Sequence, residues 1–162
     1  MELRLGHQVF HPGDFVLWHD IAPDAAPLLG DRLAAAAAAA GAALVCADPE
    51  RAIAAGVRAD GIIVDAGTMP GADRVAECVA TGHSVLVTLA AAPGATLEPA
   101  APAETGQTAN AGLLAAAAVY AWLGVRVFQM DAAAAGPVRQ VLNMVASIKG
   151  TRQPTVSRRA LA

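Results

Sequence analysis

The sequence predicts an α/β fold with a parallel sheet. Short apolar runs alternate with helix-forming stretches about five times along the 162 residues, and this alternation is typical of βα units. The run Ile62-Ile63-Val64 is apolar and β-branched throughout, which favours a strand buried on both faces. Several such runs end on an aspartate, as this one does at Asp65. Because ligands of parallel sheets bind beyond the carboxyl ends of the strands, these aspartates are candidate site residues.

The first predicted element is a small hairpin. Extended pieces at residues 2–5 and 8–10 flank Gly6-His7, and Pro12-Gly13-Asp14 is a turn signal before the first long strand. The strands predicted for the sheet are residues 15–20, 43–46, 61–65, 84–89 and 125–130.

A helix is predicted after each of these strands. Alanine has the highest helix propensity, so residues 34–40 support a helix over 27–40 that ends at Gly41. Asp48-Pro49 is typical of an N-cap followed by proline in the first turn. Residues 138–148 have the apolar spacing of an amphipathic helix. The predicted helices are residues 27–40, 49–56, 72–80, 107–123 and 138–148.

We expect a single α/β domain over residues 1–150, with the hairpin at 1–14. Residues 91–106 combine several prolines and glycines with alanine and are predicted to be a flexible loop, while 151–162 form a disordered tail. A closed βα barrel needs about eight βα units and about 250 residues. The sequence therefore predicts an incomplete barrel-like domain of the TIM type, with an open, doubly wound, flavodoxin-like sheet as the alternative. An open five-strand sheet derived from a barrel would expose one apolar face, which favours a homo-oligomer.

Composition excludes several classes of protein. The chain is 56% hydrophobic, but much of this is alanine, and no apolar run reaches the roughly 20 residues of a membrane span. The polar N-terminus is unlike a signal peptide, so we expect a cytoplasmic protein without a membrane partner. A net charge of −3 without a basic cluster argues against nucleic acid. Cys46 and Cys78 have no CxxC spacing and are predicted to be buried free thiols. His7, His11 and His19 share no helix face and are not expected to bind zinc.

The aspartates that follow strands have two interpretations. Asp20, Asp48, Asp65 and Asp131 each end an apolar run, so parallel pairing would bring them to one edge of the sheet. Most of them, and Asp24 beside the first helix, are also in positions typical of helix caps. Asp65 is different, because a carboxylate at a strand end before a glycine can accept hydrogen bonds from an amino-pyrimidine edge. Turn formation by Asp65 is an equally good explanation.

Three stretches carry a family resemblance. They are residues 3–16, residues 62–67 (Ile-Ile-Val-Asp-Ala-Gly), and the C-terminal part with Gly124, 125–128 and 141–150 (Val-Leu-Asn-Met-Val-Ala-Ser-Ile-Lys-Gly). Together they resemble dihydropteroate synthase, and especially its second, non-catalytic-looking paralogue group, with a large internal part of the family missing. The resemblance implies that Asp65 is the acid that contacts the pterin. It also implies that Pro23-Asp24 belongs to the family's Asn-x-Thr-Pro-Asp-Ser loop.

The departures from the family concern its phosphate-binding residues. The family joins a pterin methyl pyrophosphate to p-aminobenzoate and releases pyrophosphate, and the charge that develops on this leaving group needs cations. The family's first-loop asparagine corresponds to Asp20, its Ser-Arg-Lys to the alanines 90–92, and its Arg-x-His to residues 129–131 (Gln-Met-Asp). The resemblance therefore implies a protein that has lost synthase activity.

Three functional hypotheses follow. The first is a degenerate synthase-like protein that binds a pterin-like molecule or a partner protein, such as a full-length paralogue, without a cofactor; its ligand-binding candidates are Asp20, Asp24, Asp65 and Asp131. The second is an active dihydropteroate synthase or another small magnesium-dependent transferase, with Asp20 and Asp65 as the weak metal candidates and Asp131 as a further acid. The third is a structural, oligomeric subunit without a ligand.

Overall fold

Strands and helices alternate along the chain as the apolar pattern requires. The computed structural model describes residues 2–18, 26–90 and 106–152, with side chains in the last range described from residue 111. The strands in these ranges are β1 (Leu3–Leu5), β2 (Gln8–Phe10), β3 (Val16–Leu17), β4 (Leu28–Leu29), β5 (Leu44–Cys46), β6 (Ile62–Thr68), β7 (Ser84–Thr88) and β8 (Val127–Gln129). The α-helices there are α1 (Ala34–Ala40), α2 (Pro49–Ala54), α3 (Ala72–Ala80), α4 (Gly106–Leu123) and α5 (Ala135–Ile148).

Six of these strands form one parallel sheet in the order β3-β8-β7-β6-β5-β4. The first strand of the sheet, β3, therefore lies beside the last, β8, as in a closed barrel. In a flavodoxin-like sheet the first strand lies between the second and third strands instead, so that alternative is wrong. Within the described residues the sheet is a curled, incomplete barrel in which β3 and β4 do not pair with each other, which confirms the predicted barrel-like α/β fold.

The predicted helix over 27–40 is wrong in its first half. Leu28 and Leu29 form a short parallel strand against β5, with the Leu28 N–H donating to the Ala43 carbonyl at 2.8 Å. Gly30 then has a φ of +94°, a conformation that favours glycine and interrupts a helix. A 3₁₀ turn at Asp31–Leu33 leads into α1. The sheet consequently has six strands rather than the five that were predicted.

The central strand is longer than predicted. β6 continues beyond Asp65 to Thr68, and its pairing with β7 shifts register between these two residues. Such an irregularity is a β-bulge, which redirects side chains locally. The other predicted strands agree with β5, β7 and β8 to within a few residues, and α3 has the predicted bounds.

Apolar side chains cover both faces of the sheet, as its uniform hydrophobicity predicts. The concave face packs against the hairpin through a buried cluster made of Leu3, Leu5, Val16, Ala43, Val45, Ile63, Leu86 and Val127. On the outer face, α3, α4 and α5 cover β6, β7 and β8 around the fully buried Phe128. The alanines of α1 and α2 cover β4 and β5. Small side chains let these two helices approach the sheet closely.

The hairpin closes the amino end of the sheet. β1 and β2 pair antiparallel, and Leu3 and Leu5 are fully buried beneath the concave face. Arg126, just before β8, donates from Nη2 to the carbonyls of Phe10 and His11 at 3.0 and 2.8 Å. With the amino end closed, the carboxyl end is the open end of the half-barrel.

Some predictions fall on residues outside the described ranges. These are the end of the first strand with His19 and Asp20, the loop residue Asp24, residues 91–105 of the predicted flexible loop, and residues 153–162 of the tail. The division into a single domain with a tail also stays a prediction. Cys46 and Cys78 are buried and free, as predicted. Among the helices that the structure describes, none is both long and apolar enough to cross a membrane.

Candidate functional site

A cavity lies at the carboxyl edge of the sheet, where ligands of parallel sheets bind. Its volume is about 460 Å³, within the range of small-molecule sites. Five neighbouring strands, β4 to β8, or the residues directly after them contribute to its wall. The lining residues are Leu29, Gly30, Asp31, Val45, Cys46, Ala47, Asp65, Ala66, Gly67, Leu86 and Gln129.

Strand register explains why polar side chains meet an apolar wall here. Ile63 belongs to the concave cluster, so Asp65, two residues further along β6, points to the same side. Val127 and Gln129 have the same relation in β8. Asp65 pairs with Leu86 of β7, which belongs to the concave cluster as well. The inner face is therefore apolar at depth and becomes polar at the carboxyl edge.

Asp65 takes part in a local turn and also lines the cavity. Its Oδ1 accepts a hydrogen bond from the Gly67 N–H at 2.8 Å, an Asx turn that supports the bulge after Asp65. Gly67 has a φ of +93°, which favours glycine at that turn. The side chain of Asp65 is exposed, and within the described ranges no group donates to its Oδ2. The turn and the ligand-binding interpretations of Asp65 are therefore compatible, because Oδ1 accepts the hydrogen bond of the turn and Oδ2 can accept one from a ligand.

Asp31 is the second carboxylate in the cavity wall, and the sequence analysis missed it. Its Oδ1 accepts hydrogen bonds from the N–H groups of Ala47 at 3.2 Å and Asp48 at 3.5 Å. This links the turn after β4 to the end of β5. Asp31 was assigned to a helix interior because the short strand β4 was not recognised. The available signal was Gly30, which separates the Leu28-Leu29 pair from the alanines.

Cys46 lies between these acids and has an unreactive thiol. Only 2% of the residue is exposed. Burial, then the carboxylates of Asp31 and Asp48, raise the pKa of the Cys46 thiol to about 11. A thiol with this pKa is protonated at neutral pH and is a poor nucleophile. The cavity therefore contains no activated cysteine.

The other predicted acids that the structure describes act as caps. Asp48 N-caps α2 by accepting from the Arg51 N–H at 3.0 Å. Asp131 caps the 3₁₀ turn before α5 by accepting from the Ala133 N–H at 2.9 Å, and it does not line the cavity. Asp20 and Asp24 lie outside the described residues. Of the four ligand candidates, Asp65 is the one that the structure brings into this cavity.

Among the described residues that line the cavity, none is a lysine or an arginine. Gln129 reaches the wall where the family resemblance expects an arginine, and it accepts a hydrogen bond from Thr88 Oγ1 at 3.3 Å. Several cations of the described chain are instead engaged at the hairpin end. Arg126 contacts the hairpin carbonyls, and Arg58 and Arg4 pair with Asp60 at 2.8 and 3.4 Å.

Metal-binding side chains are also not clustered. Within the described ranges, no group of three or more histidine, cysteine, aspartate or glutamate side chains is arranged to hold a metal ion. His11 lies at the hairpin and pairs through Nδ1 with Glu2 at 3.2 Å. The arrangement at the carboxyl edge is thus a neutral-to-acidic cavity with hydrogen-bond acceptors over an apolar floor.

These features define the class of the protein as an incomplete βα barrel with its candidate site at the carboxyl edge. No protein-family profile matches the chain. It is nevertheless similar in sequence to inactive dihydropteroate synthases. It is 41% identical over 134 residues to inactive dihydropteroate synthase 2 of Mycobacterium leprae, which covers 73% of this chain and 42% of that protein. The Mycobacterium tuberculosis inactive dihydropteroate synthase 2 is 38% identical, with 73% of this chain and 38% of that protein covered.

Solved structures agree with this similarity. Mycobacterium tuberculosis Rv1207 superposes with a TM-score of 0.56 at 33% identity, covering 76% of this chain and 57% of that one. A Coxiella burnetii dihydropteroate synthase in complex with pteroic acid gives a TM-score of 0.59 at 15% identity, covering 79% and 62%. The second match supports the fold alone. The chain spans about two-fifths of the length of the curated relatives it matches.

Proposed function

We propose that this protein lacks dihydropteroate synthase activity and binds a pterin-like molecule in the cavity at the carboxyl edge. The observation that carries the proposal is a cavity wall whose described residues include Asp65 but no lysine or arginine. Synthase chemistry expels pyrophosphate, and the charge on that leaving group must be stabilised by cations or hydrogen-bond donors in the transition state. A wall of carboxylates, amide oxygens and apolar groups lacks these cations.

The segments outside the described ranges that follow β3 and β7 do not restore the cations, and the arginines outside the described ranges, Arg158 and Arg159, belong to the C-terminal tail. Residues 19–25 and 91–105, which follow β3 and β7, contain two aspartates and two glutamates but no lysine or arginine. The segments that would reach the carboxyl edge of a βα barrel are therefore acidic or neutral as well. Loss of several cations at a phosphate site lowers turnover by about 10⁴-fold or more.

Binding of a flat heterocycle remains compatible with the cavity. Leu86, Val45 and Ala66 provide an apolar surface, and Asp65 and Gln129 provide acceptors at its edge. The amino-pyrimidine edge of a pterin presents neighbouring N–H donors, which a carboxylate accepts in strong, charge-assisted hydrogen bonds. The names of the relatives, inactive dihydropteroate synthase 2, support the loss of activity.

Calorimetry with 6-hydroxymethylpterin tests the proposal, with two matched variants. Asp65→Asn keeps an oxygen for the Gly67 N–H but removes the charge, so the affinity should fall about tenfold, or about 1.4 kcal/mol. Asp131→Asn makes the same change in a turn of the same spacing, in which Asp131 Oδ1 accepts from the Ala133 N–H at 2.9 Å. Asp131 does not line the cavity. This control should bind as the unmodified protein does.

Activity assays complete the test. The purified protein, with and without magnesium, should form no dihydropteroate from the pterin pyrophosphate and p-aminobenzoate. Turnover would contradict the proposed loss of activity, and turnover that requires magnesium would favour the magnesium-dependent transferase. The protein proposed here, which lacks activity, binds its ligand without a cofactor. Absence of pterin binding, or equal effects of the two variants, would contradict the ligand-binding half of the proposal.

A second candidate role is association with another chain. Large apolar side chains of α4 and α5 are exposed, with Trp122 57% and Ile148 65% accessible, and such exposure is typical of interaction surfaces. We propose homo-oligomerisation, or pairing with a full-length paralogue, through these helices in the cytoplasm. The free, buried cysteines fit a reducing compartment. Light scattering that gives a monomer at all concentrations, alone and with the paralogue, would contradict this role.

A further inference from the structure

The charged side chains of the cavity wall affect whether the cavity accepts a phosphorylated or an unphosphorylated ligand. Asp31 follows β4 and Asp65 lies in β6, so the two carboxylates stand on either side of β5 and line the same cavity. Between them the wall is made of Val45, Cys46 and Ala47, which carry no charge at neutral pH. A ligand over this wall therefore meets two negative charges at short range.

Among the described residues, no cation lines the cavity beside these two acids. Arg74, in the first turn of α3, is engaged with Glu77 at 3.5 Å. Arg32 directly follows Asp31 but does not line the cavity. Arg126 and Lys149 donate to backbone carbonyls at the opposite end of the sheet. The remaining groups near the carboxyl edge include the carboxylates of Asp48 and Asp131, which cap helical turns.

On the basis of the proposed function, we infer that the cavity binds the unphosphorylated pterin alcohol and discriminates against its phosphate and diphosphate esters. The heterocycle donates N–H groups to acceptors, which the wall supplies. Each phosphate adds negative charge beside Asp31 and Asp65, and like charges about 8 Å apart in water repel by about 1 RT per charge pair. Summed over a diphosphate and two carboxylates, this repulsion weakens binding by at least about tenfold.

The preference is the reverse of what a synthase requires. An enzyme that releases pyrophosphate gains transition-state stabilisation from groups that hold the diphosphate. A cavity that repels the diphosphate instead selects the ligand before it is activated by phosphorylation, or after the phosphates have been removed. The inference concerns selectivity, so it can fail while pterin binding itself is retained.

Calorimetry with three probes separates these outcomes: 6-hydroxymethylpterin, its diphosphate ester and inorganic pyrophosphate. We expect the alcohol to bind, the ester to bind at least about tenfold more weakly, and pyrophosphate not to bind. Because salt screens exposed charges, high salt should narrow the difference between alcohol and ester. Equal or tighter binding of the ester would overturn the inference and leave the proposed function intact.

Asp31→Asn tests whether the carboxylates cause the discrimination. Asparagine keeps an acceptor for the Ala47 N–H and removes one charge from the wall, so the ratio of the two affinities should fall by about threefold or more. Asp131→Asn, which removes a carboxylate outside the cavity wall, is the control and should change the ratio less than Asp31→Asn does. An unchanged ratio in Asp31→Asn would overturn the electrostatic basis. If none of the probes binds, the inference and the proposed pterin binding both fail.

Discussion

The contact of Arg126 with the hairpin should be one of the strongest single determinants of stability at the amino end. The guanidinium is half-buried and donates to the carbonyls of Phe10 and His11, at 3.0 and 2.8 Å. Burial lowers the pKa of Arg126, which shows that part of the interaction is offset by desolvation. Arg126→Met keeps the apolar stem but removes both hydrogen bonds, so it isolates the polar contribution of this side chain.

The expected loss follows from two opposing terms. Hydrogen bonds from a charged donor contribute about 1.5–3 kcal/mol each, so two of them give about 3–6 kcal/mol. Relief of the buried charge returns part of this. We expect a net decrease of about 2–3 kcal/mol in the free energy of unfolding. Arg58→Met is the matched control, because Arg58 also lies near the hairpin but is largely exposed beside Asp60, and exposed ion pairs contribute little.

Urea denaturation of both variants measures this difference. A shifted midpoint with an unchanged slope indicates lost stability rather than an altered unfolded state. Limited proteolysis between residues 6 and 14 should in addition be faster in Arg126→Met, because the hairpin then depends on the apolar packing of Leu3 and Leu5 and on the exposed Arg4–Asp60 pair. Equal midpoints for the two variants would refute the idea that the buried donor anchors the hairpin.

Two further predictions concern pH and backbone geometry. The folded pKa of Cys46, about 11, lies above the ordinary value of 9.0; the unfolded thiol therefore ionises first, and stability is lost between pH 9 and pH 11 by up to about 3 kcal/mol. Cys46→Ala should reduce this pH dependence in denaturation curves, and the part that remains should come from groups such as Cys78 and Tyr120, whose pKa values burial also raises. Gly13 has a φ of +100°, and a Cβ there would meet Thr151 Cβ at 2.9 Å. Gly13→Ala should therefore lower the free energy of unfolding by about 2–4 kcal/mol. Gly82 also has a positive φ, but a Cβ there would meet no atom, so Gly82→Ala should lower the free energy of unfolding by only about 1–2 kcal/mol in the same assay.

The sequence predicted those parts of the fold that depend on local pattern. The uniform apolar run at Ile62–Val64 and the alternation with helices were sufficient for a parallel α/β sheet. β4 was missed because it has two residues and exists through its pairing with β5, from the Leu28 N–H to the Ala43 carbonyl. Periodicity over two residues cannot separate a strand from a helical turn. The same limitation hid Asp31, since its role depends on where β4 ends.

The position of Asp65 was predicted from its sequence context, but its geometry was not. A carboxylate after an apolar run indicates an edge of the sheet, and the cavity lies at that edge. The extension of β6 to Thr68 depends on pairing with β7, which includes Thr68 opposite Thr88. Asp131 has an equivalent sequence context but caps a turn outside the cavity wall. The glycine after Asp65 suggested a difference between these two aspartates, and the three-dimensional register shows that Asp65 lines the cavity and Asp131 does not.

The opening of the barrel and the loss of the phosphate-binding cations are separate changes. The sheet is open between β3 and β4, yet the cavity wall is formed by β4, β5, β6, β7 and β8, and no residue of β3 lines it. A ligand can therefore contact five consecutive strands without a closed barrel. Conversely, a second chain that pairs with the free edges of β3 and β4 would complete the sheet but would add cations only from its own residues. The proposed ligand selectivity would thus depend on Asp31 and Asp65 within this chain, and barrel closure would act on stability and assembly.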